Sequence, residues 1–265
     1  MITSLDNSRI KEARKLQRRR HRHKSNALLL EGVRLVRDAW QSGAELREVY
    51  VAPELVADNA EAQQLLTTLT AATVDLLPCS AAVLTSLTET VTPQGVVAVV
   101  TLPDLPLPTS IDFVLILDQV RDPGNAGTLL RAAEAAGVKL ALFGPETVDP
   151  YNDKVLRAGM GAHFRLPLRL CHDWSAIQSL LPAGMAIYLA QADAPLAYDA
   201  ADWGASVALV VGGEADGASA AAYAAAQPIA IPMHGQVESL NAAMAGTVIL
   251  FEAARQRRSV PHPTG

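Results

Sequence analysis

The chain has 265 residues, half of them apolar and 18% charged, with a net charge of −5. This is the composition of a globular protein with a real core, and it excludes a disordered or low-complexity chain. Cys79 and Cys171 are the only cysteines, too few for a disulfide scaffold or a four-cysteine zinc site.

The charge is unevenly spread. Residues 1–50 hold 12 Lys+Arg against 6 Asp+Glu, and the remainder holds 10 against 21. Nine basic residues and one acid, Glu12, fall between Arg9 and Lys24. Such a split suggests a polyanion contact attached to an acidic body, although a solvated basic end has the same composition. No apolar run approaches the ~18 residues that span a bilayer. Ala27 to Leu30 is far shorter than the ~7–15-residue core of a signal peptide. A cytoplasmic protein without a membrane segment is expected.

Taken in chain order, Ser8 to His21 reads as a basic helix with Ile10, Ala13 and Leu16 at helical spacing. Ala27 to Leu30 is a strand, and Val33 to Gln41 a helix ended by Gly43. Val49 to Ala52 is a strand closed by Pro53, Ala60 to Ala72 a helix, and Val74–Leu77 and Val96–Thr101 are further strands. Residues 1–100 thus form a small α/β domain. Residues 101–110, TLPDLPLPTS, read as a Pro-rich extended linker. Beyond it come strand-like runs at Phe113–Leu117, Leu140–Phe143, Ala186–Ala190, Val207–Val211 and Ile229–Ile231. Helices are expected at Thr128–Ala136, Trp174–Leu181, Ala218–Ala226 and from about Leu240 to Arg257. This alternation predicts a parallel sheet covered on both faces over residues 111–258, with 259–265 a loose tail.

In open α/β sheets, ligands bind beyond the carboxyl ends of the strands. Three loops of the second domain are rich in glycine and polar side chains. In residues 118–137, a Pro123-Gly124-Asn125 turn leads into a helix carrying Arg131. Asn125 is the expected cap, and a helix start with an arginine suits an anion. An ordinary capped helix with a surface arginine reads the same way. In LVVGGEADGAS (209–219), a strand runs into a turn with Gly212, Gly213 and Gly217, and Glu214 stands at the strand end. It is neither GxGxxG nor a P-loop. In residues 229–246, a strand stops at Pro232 and a polar loop leads to Glu238, Ser239 and Asn241, where capping explains only one of them. Glu214 and Glu238 are candidates for acid–base work. His163, His172 and His234 have no metal-binding spacing, and no GxSxG elbow surrounds Ser239.

In order, NAGTLLR with its flanking DPG, then GGEADG, then IPMHGQVESLN resembles the three motifs of the SpoU family of RNA ribose 2′-O-methyltransferases. That family belongs to the trefoil-knotted SPOUT superfamily. Residues 92–100 and 151–167 are also similar to family stretches, and the resemblance covers about residues 92–258. It implies a C-terminal knotted parallel-sheet methyltransferase domain and a small N-terminal α/β domain, similar to RNA-binding ribosomal proteins, that binds substrate. It implies S-adenosyl-L-methionine as cofactor, a homodimer with composite sites, and no metal. By position, Asn125, Arg131, Glu214, Ser239 and Asn241 match the family's catalytic set. Gly212, Gly217, Ile231, Met233 and Leu240 match its cofactor-binding positions. Arg9, Lys11, Arg14, Arg18, Arg19, Arg20 and Arg22 are the expected RNA contacts. The expected substrate is ribosomal RNA, 23S above all. Transfer RNA, or a non-catalytic role in RNA binding or ribosome assembly, are the alternatives. The chain departs from the family at Gly159, where serine is common, and at Gly213. Gly213 and Gly246 are expected to loosen the knot or the dimer helix.

Overall fold

The computed structural model describes residues 1–214, 216–237 and 239–259. Glu238 and most of the expected tail lie outside the described residues. The chain forms two compact units, Met1–Pro103 with Tyr151–Phe164, and Asp104–Pro150 with Arg165–Gly265.

The first unit is built from α1 (Ser8–Lys15), α2 (Arg19–Ser25), β1 (Ala27–Glu31), α3 (Val33–Gln41), β2 (Leu46–Val51), α4 (Pro53–Val56), α5 (Ala60–Ala71), β3 (Leu76–Pro78), α6 (Ala81–Thr85) and β4 (Val96–Thr101). Its sheet has the order β1-β4-β2-β3, with β4 antiparallel to both neighbours and β3 parallel to β2. Ile10, Ala13 and Leu16 are buried as their spacing predicts, against Val83, Leu84 and Leu87 and the strand residues Tyr50, Val97 and Val99. The expected single basic helix is broken, however. Arg18 is extended between α1 and α2. The buried Arg22 guanidinium donates to the carbonyls of Leu16 and Gln17 at 3.1 and 3.0 Å, satisfying groups that a continuous helix would have used itself.

The second unit contains β5 (Phe113–Asp118), α7 (Pro123–Ala136) and β6 (Leu140–Phe143). After an excursion come β7 (Leu168–Leu170), α9 (Trp174–Leu180), β8 (Ala186–Ala190), β9 (Leu196–Ala197), β10 (Val207–Gly212), α10 (Ala220–Ala225), β11 (Gln227–Ala230) and α11 (Ala242–Ser259). The excursion carries α8 (Asp153–Gly159) and a single 3₁₀ turn, Ala162–Phe164. All seven strands pair in parallel, in the order β7-β6-β5-β10-β8-β11-β9. Strands buried on both faces explain the unbroken apolar runs FVLILD and VALVV. Val114, Ile116, Ala208 and Val210 pack against Trp174 and Ile177 of α9 and Ala222 of α10. The alternate side chains face α7 and α11, where Arg257 lies over the Phe113 ring at 5.1 Å.

One expectation is corrected. The second domain is not continuous over 111–258, because Tyr151–Phe164 clusters with the first unit. There Val155 and Leu156 are buried, Tyr151 Oη donates to Pro103 O at 3.2 Å, and Arg157 pairs with Glu31. Gly213 and Gly246 stand where the chain is tightly approached. A Cβ on Gly213 would lie 2.4 Å from Gln119 O, and one on Gly246 would lie 2.4 Å from Leu129 Cδ2. Both glycines mark close approaches, the second between α11 and α7. Among the described residues, no helix is long and apolar enough to cross a membrane.

Candidate active site

A cleft of about 410 Å³ opens where β10, β8 and β11 end, within the ~300–1,000 Å³ usual for small-molecule sites. Its walls combine the glycine turn after β10, the loop after β11 and the start of α11. Gly212, Gly217, Ile231, Met233 and Leu240 all line it, as the motif positions predict. The turn is narrow because Gly213 and Gly217 exchange backbone hydrogen bonds of 2.8 and 3.1 Å, with Gly217 at φ +71°. A Cβ on Gly212 would meet Ala218 N at 2.6 Å, so only glycine lets the turn fold back on itself. The backbone N–H and C=O groups of Met233 and Leu240 bond to no other described residue. Apolar walls with a few unpaired backbone groups suit a nucleoside-like molecule, which offers a flat apolar ring and polar edges. The cleft therefore fits S-adenosylmethionine.

A smaller cavity of about 170 Å³ lies alongside, sharing Gly213, Glu214 and Ala242 with the cleft. Here three loops converge on one amide. Asn241 Oδ1 accepts from the backbone N–H groups of Ala243 and Met244, both at 3.1 Å, and so caps α11. That fixes the amide's orientation. Its Nδ2 donates to Asn125 Oδ1 at 3.0 Å and to Glu214 Oε1 in a short bond. Asn125 is buried, and no other described residue takes its NH₂ group. Asn125 does not cap α7 as expected. Asp122 does, accepting from Asn125 N at 2.7 Å. The sequence DPGN offers two cap candidates, and proline at the first helical position makes the preceding aspartate the cap.

Ser239 is exposed and lines the cleft. Arg131 lines neither cavity. It lies on the exposed face of α7 with no hydrogen bond or ion pair to another described residue.

Sequence reasoning missed two neighbours of the site. Arg121 bridges Asp216 of the glycine turn at 2.7 Å and Glu146 of the loop after β6 at 2.5 Å. The hydrogen bond it donates to Glu146, then the charge of Asp216, holds its guanidinium above its ordinary range. Asp118, fully buried at the end of β5, accepts from Trp174 Nε1, Ser219 N and Ser219 Oγ. A lone aspartate after an apolar strand gives no sequence signal of such partners.

Of the expected RNA contacts, Arg14 on α1, Arg18 at the break, and Arg19 and Arg20 on α2 are exposed. Arg9 pairs with Asp75 at 3.2 Å and Lys11 with Asp6 at 2.9 Å. Arg22 is the exception, because its guanidinium is spent inside the fold. Among the described residues, no group of three or more His, Cys, Asp or Glu side chains is placed to hold a metal ion.

Comparison with known proteins follows the same division. Residues 112–251 match the SpoU rRNA Methylase family and residues 7–98 the MRM3-like substrate binding domain. The chain is 33% identical to the 23S rRNA (guanosine(2553)-2′-O)-methyltransferase RlmP of Bacillus subtilis, over 94% of this chain and 97% of that protein. Two crystal structures each superpose with a TM-score of 0.81. One is an RNA 2′-O ribose methyltransferase, 35% identical over 97% of this chain and 99% of that one. The other is the SpoU methyltransferase AviRb of Streptomyces viridochromogenes in complex with AdoMet, 27% identical over 96% of this chain and 100% of that one.

Proposed function

Because the chain belongs to the SpoU rRNA Methylase family, and so transfers methyl groups from S-adenosylmethionine to RNA ribose 2′-hydroxyls, we propose that it acts on 23S ribosomal RNA with Asn125, Arg131, Glu214, Ser239 and Asn241 as its catalytic set. The observation that carries this reading is the Asn241 amide, which ties Asn125 to Glu214 beside the cleft. Three motifs far apart in sequence converge there, and a protein that only bound RNA would have no use for the convergence. The ribosomal substrate is supported by the near full-length match to RlmP.

Bound between the glycine turn and the loop after β11, S-adenosylmethionine supplies a methyl group made electrophilic by its sulfonium. Gly212, Gly217, Ile231, Met233 and Leu240 hold it. The ribose hydroxyl is a poor nucleophile, so its proton must leave as the new bond forms. Arginine keeps its proton in proteins, so Arg131 is not the base. It holds the adjoining phosphate and stabilises charge developing on the oxygen. Glu214 or that phosphate takes the proton. The NH₂ group of Asn125 and the hydroxyl of Ser239 orient the ribose.

Arg131 reaches a cleft by dimerisation. Met244, Val248 and Phe251 of α11 are 62%, 41% and 48% exposed, one apolar stripe at helical spacing. Against a second copy, this stripe would bring Arg131 of one protomer to the cleft of its partner. The trefoil knot belongs to the same reading. In support, the chain leaves β11 and returns to pack α11 on α7 at Gly246. Arg9, Lys11, Arg14, Arg18, Arg19 and Arg20 supply the RNA contact, without Arg22.

The test is transfer of radiolabelled methyl from S-adenosylmethionine to size-separated total RNA. Wild type should label a 23S-sized band, and Arg131→Ala should lower the rate at least ~10²-fold with cofactor affinity nearly intact. Label confined to transfer RNA would overturn the substrate, and undiminished turnover in the variant would overturn the role of Arg131.

A further inference from the structure

We propose that Asp118 is a positioning residue for methyl transfer, holding the glycine turn so that one side forms the cofactor wall and the other presents Glu214. This rests on the reading of the cleft given above. The carboxylate is fully buried and, among the described residues, meets three donors and no cation. Oδ1 accepts from Ser219 N at 3.0 Å. Oδ2 accepts from Ser219 Oγ at 2.8 Å and from the Trp174 indole N–H at 2.5 Å.

Ser219 closes the turn. The turn leaves β10 at Gly212, whose register partner on β5 is Asp118 itself. It folds back through the paired Gly213 and Gly217, and ends at Ala218 and Ser219. Gly217 and Ala218 face the cleft, and Glu214 sits on the crossing between the two bridged glycines. Fastening Ser219 to Asp118 therefore fixes both ends of the turn to the same point of β5. Ser219 Oγ also accepts from Ala222 N at 3.2 Å, starting α10 from that point. Two of the three donors, Ser219 N and Trp174 Nε1, are N–H groups that cannot accept, and they face different oxygens. Asparagine in either orientation would aim its NH₂ group at one of them. Supporting shells of this kind set how accurately the reacting groups are held.

The experiment compares wild type, Asp118→Asn, Ser219→Ala, Ser219→Thr and Trp174→Phe in the full-length protein. Calorimetry measures S-adenosylmethionine affinity, single-turnover methyl transfer to RNA measures rate, and heating gives the unfolding midpoint. Asp118→Asn should weaken cofactor affinity and slow transfer, each ~10-fold or more. Ser219→Ala should move both in the same direction by less, and Ser219→Thr, which keeps the hydroxyl, should restore them. Trp174→Phe leaves both Ser219 bonds in place, so it should lower the midpoint while leaving affinity unchanged. If Asp118→Asn fails to fold, the Ser219 pair carries the same test. Unchanged affinity and rate in Asp118→Asn, or in Ser219→Ala where Asp118→Asn does not fold, would overturn the proposal alone. So would Trp174→Phe weakening affinity as much as Asp118→Asn, since the carboxylate would then act through stability only. Wild type that binds no S-adenosylmethionine would overturn the reading of the cleft, and the proposal with it.

Discussion

Replacing Asn241 with aspartate should leave the protein folded and nearly stop methyl transfer. The residue has two separable tasks. Its Oδ1 accepts two backbone N–H groups and starts an 18-residue helix, and its Nδ2 donates to Asn125 and Glu214. Alanine removes both. Loss of such a cap costs about 1 kcal/mol, or a fall of ~2–4 °C in unfolding midpoint for a domain of this size. Aspartate keeps the cap and places a negative charge at a helix N-terminus, favourable by ~0.3–1 kcal/mol. Against this stands repulsion from Glu214, whose exposure lets solvent screen it. The two effects offset, and the midpoint should stay within ~2 °C of wild type. The donor is gone, however, and Asn125 Oδ1 and Glu214 Oε1 then face only another acceptor. Losing that alignment should slow transfer ~10²-fold. Thermal unfolding and single-turnover transfer, run on Asn241→Ala and Asn241→Asp together, make the test. Wild-type turnover in the aspartate variant would refute the bridging role, and an alanine-like midpoint would refute the capping argument.

Other substitutions test other parts of the reasoning. Gly213→Ala places a Cβ 2.4 Å from a backbone oxygen, which cannot move as a side chain end can. It should destabilise by ~1–3 kcal/mol and weaken cofactor binding measured by calorimetry. Changing Arg18, Arg19 and Arg20 together to alanine should weaken RNA binding and flatten its dependence on salt, read from filter binding between low and moderate salt. Burial pushes the Cys79 thiol well above the ordinary thiol range, up to about 11. The folded state then keeps a proton that the unfolded state releases, so this stabilisation is complete below pH 9 and lost as pH rises toward 11. Cys79→Ala should therefore show a shallower fall in unfolding midpoint over that interval than wild type.

What could be read from the sequence follows the range of the interactions involved. Helix α3 was expected with the bounds it has, because Val33, Leu35, Val36 and Ala39 write their buried face within nine residues. The central strands β5 and β10 announce themselves as apolar runs. The cleft-lining positions were legible through motif resemblance, and glycine at 212 has a steric cause that explains the motif. Asp118 was not legible, since its partners stand 56 and 101 residues away. Residues Ala190 to Ala192, which also line the cleft, offer mainly backbone and small side chains, so nothing marks them in sequence. Helix α8 is seven residues long, too short for periodicity to show, and its ion pair with Glu31 lies in another part of the chain. The break in the basic helix leaves no mark in the sequence, since helical spacing runs up to Leu16 and only charged and polar residues follow it to Lys24. Only the folded Arg22 shows where the spare carbonyls go.

The return of Tyr151–Phe164 to the first unit has a consequence for biosynthesis. Glu31 of β1 waits for Arg157, which reaches it at 3.7 Å while also pairing with Asp153 at 2.7 Å. As the ribosome releases the chain from its N-terminus, β1 to β4 are all available once Thr101 has emerged. The excursion that finishes this unit is still inside or behind the exit tunnel. By then β5, α7 and β6 have been made, so the first unit is completed only after the second has begun. A chain cut at the Pro-rich segment would lack that last piece and leave the Glu31 carboxylate without its arginine. The protein is therefore best regarded as one folding transaction with interleaved halves, and attempts to produce the first unit alone should begin by restoring α8.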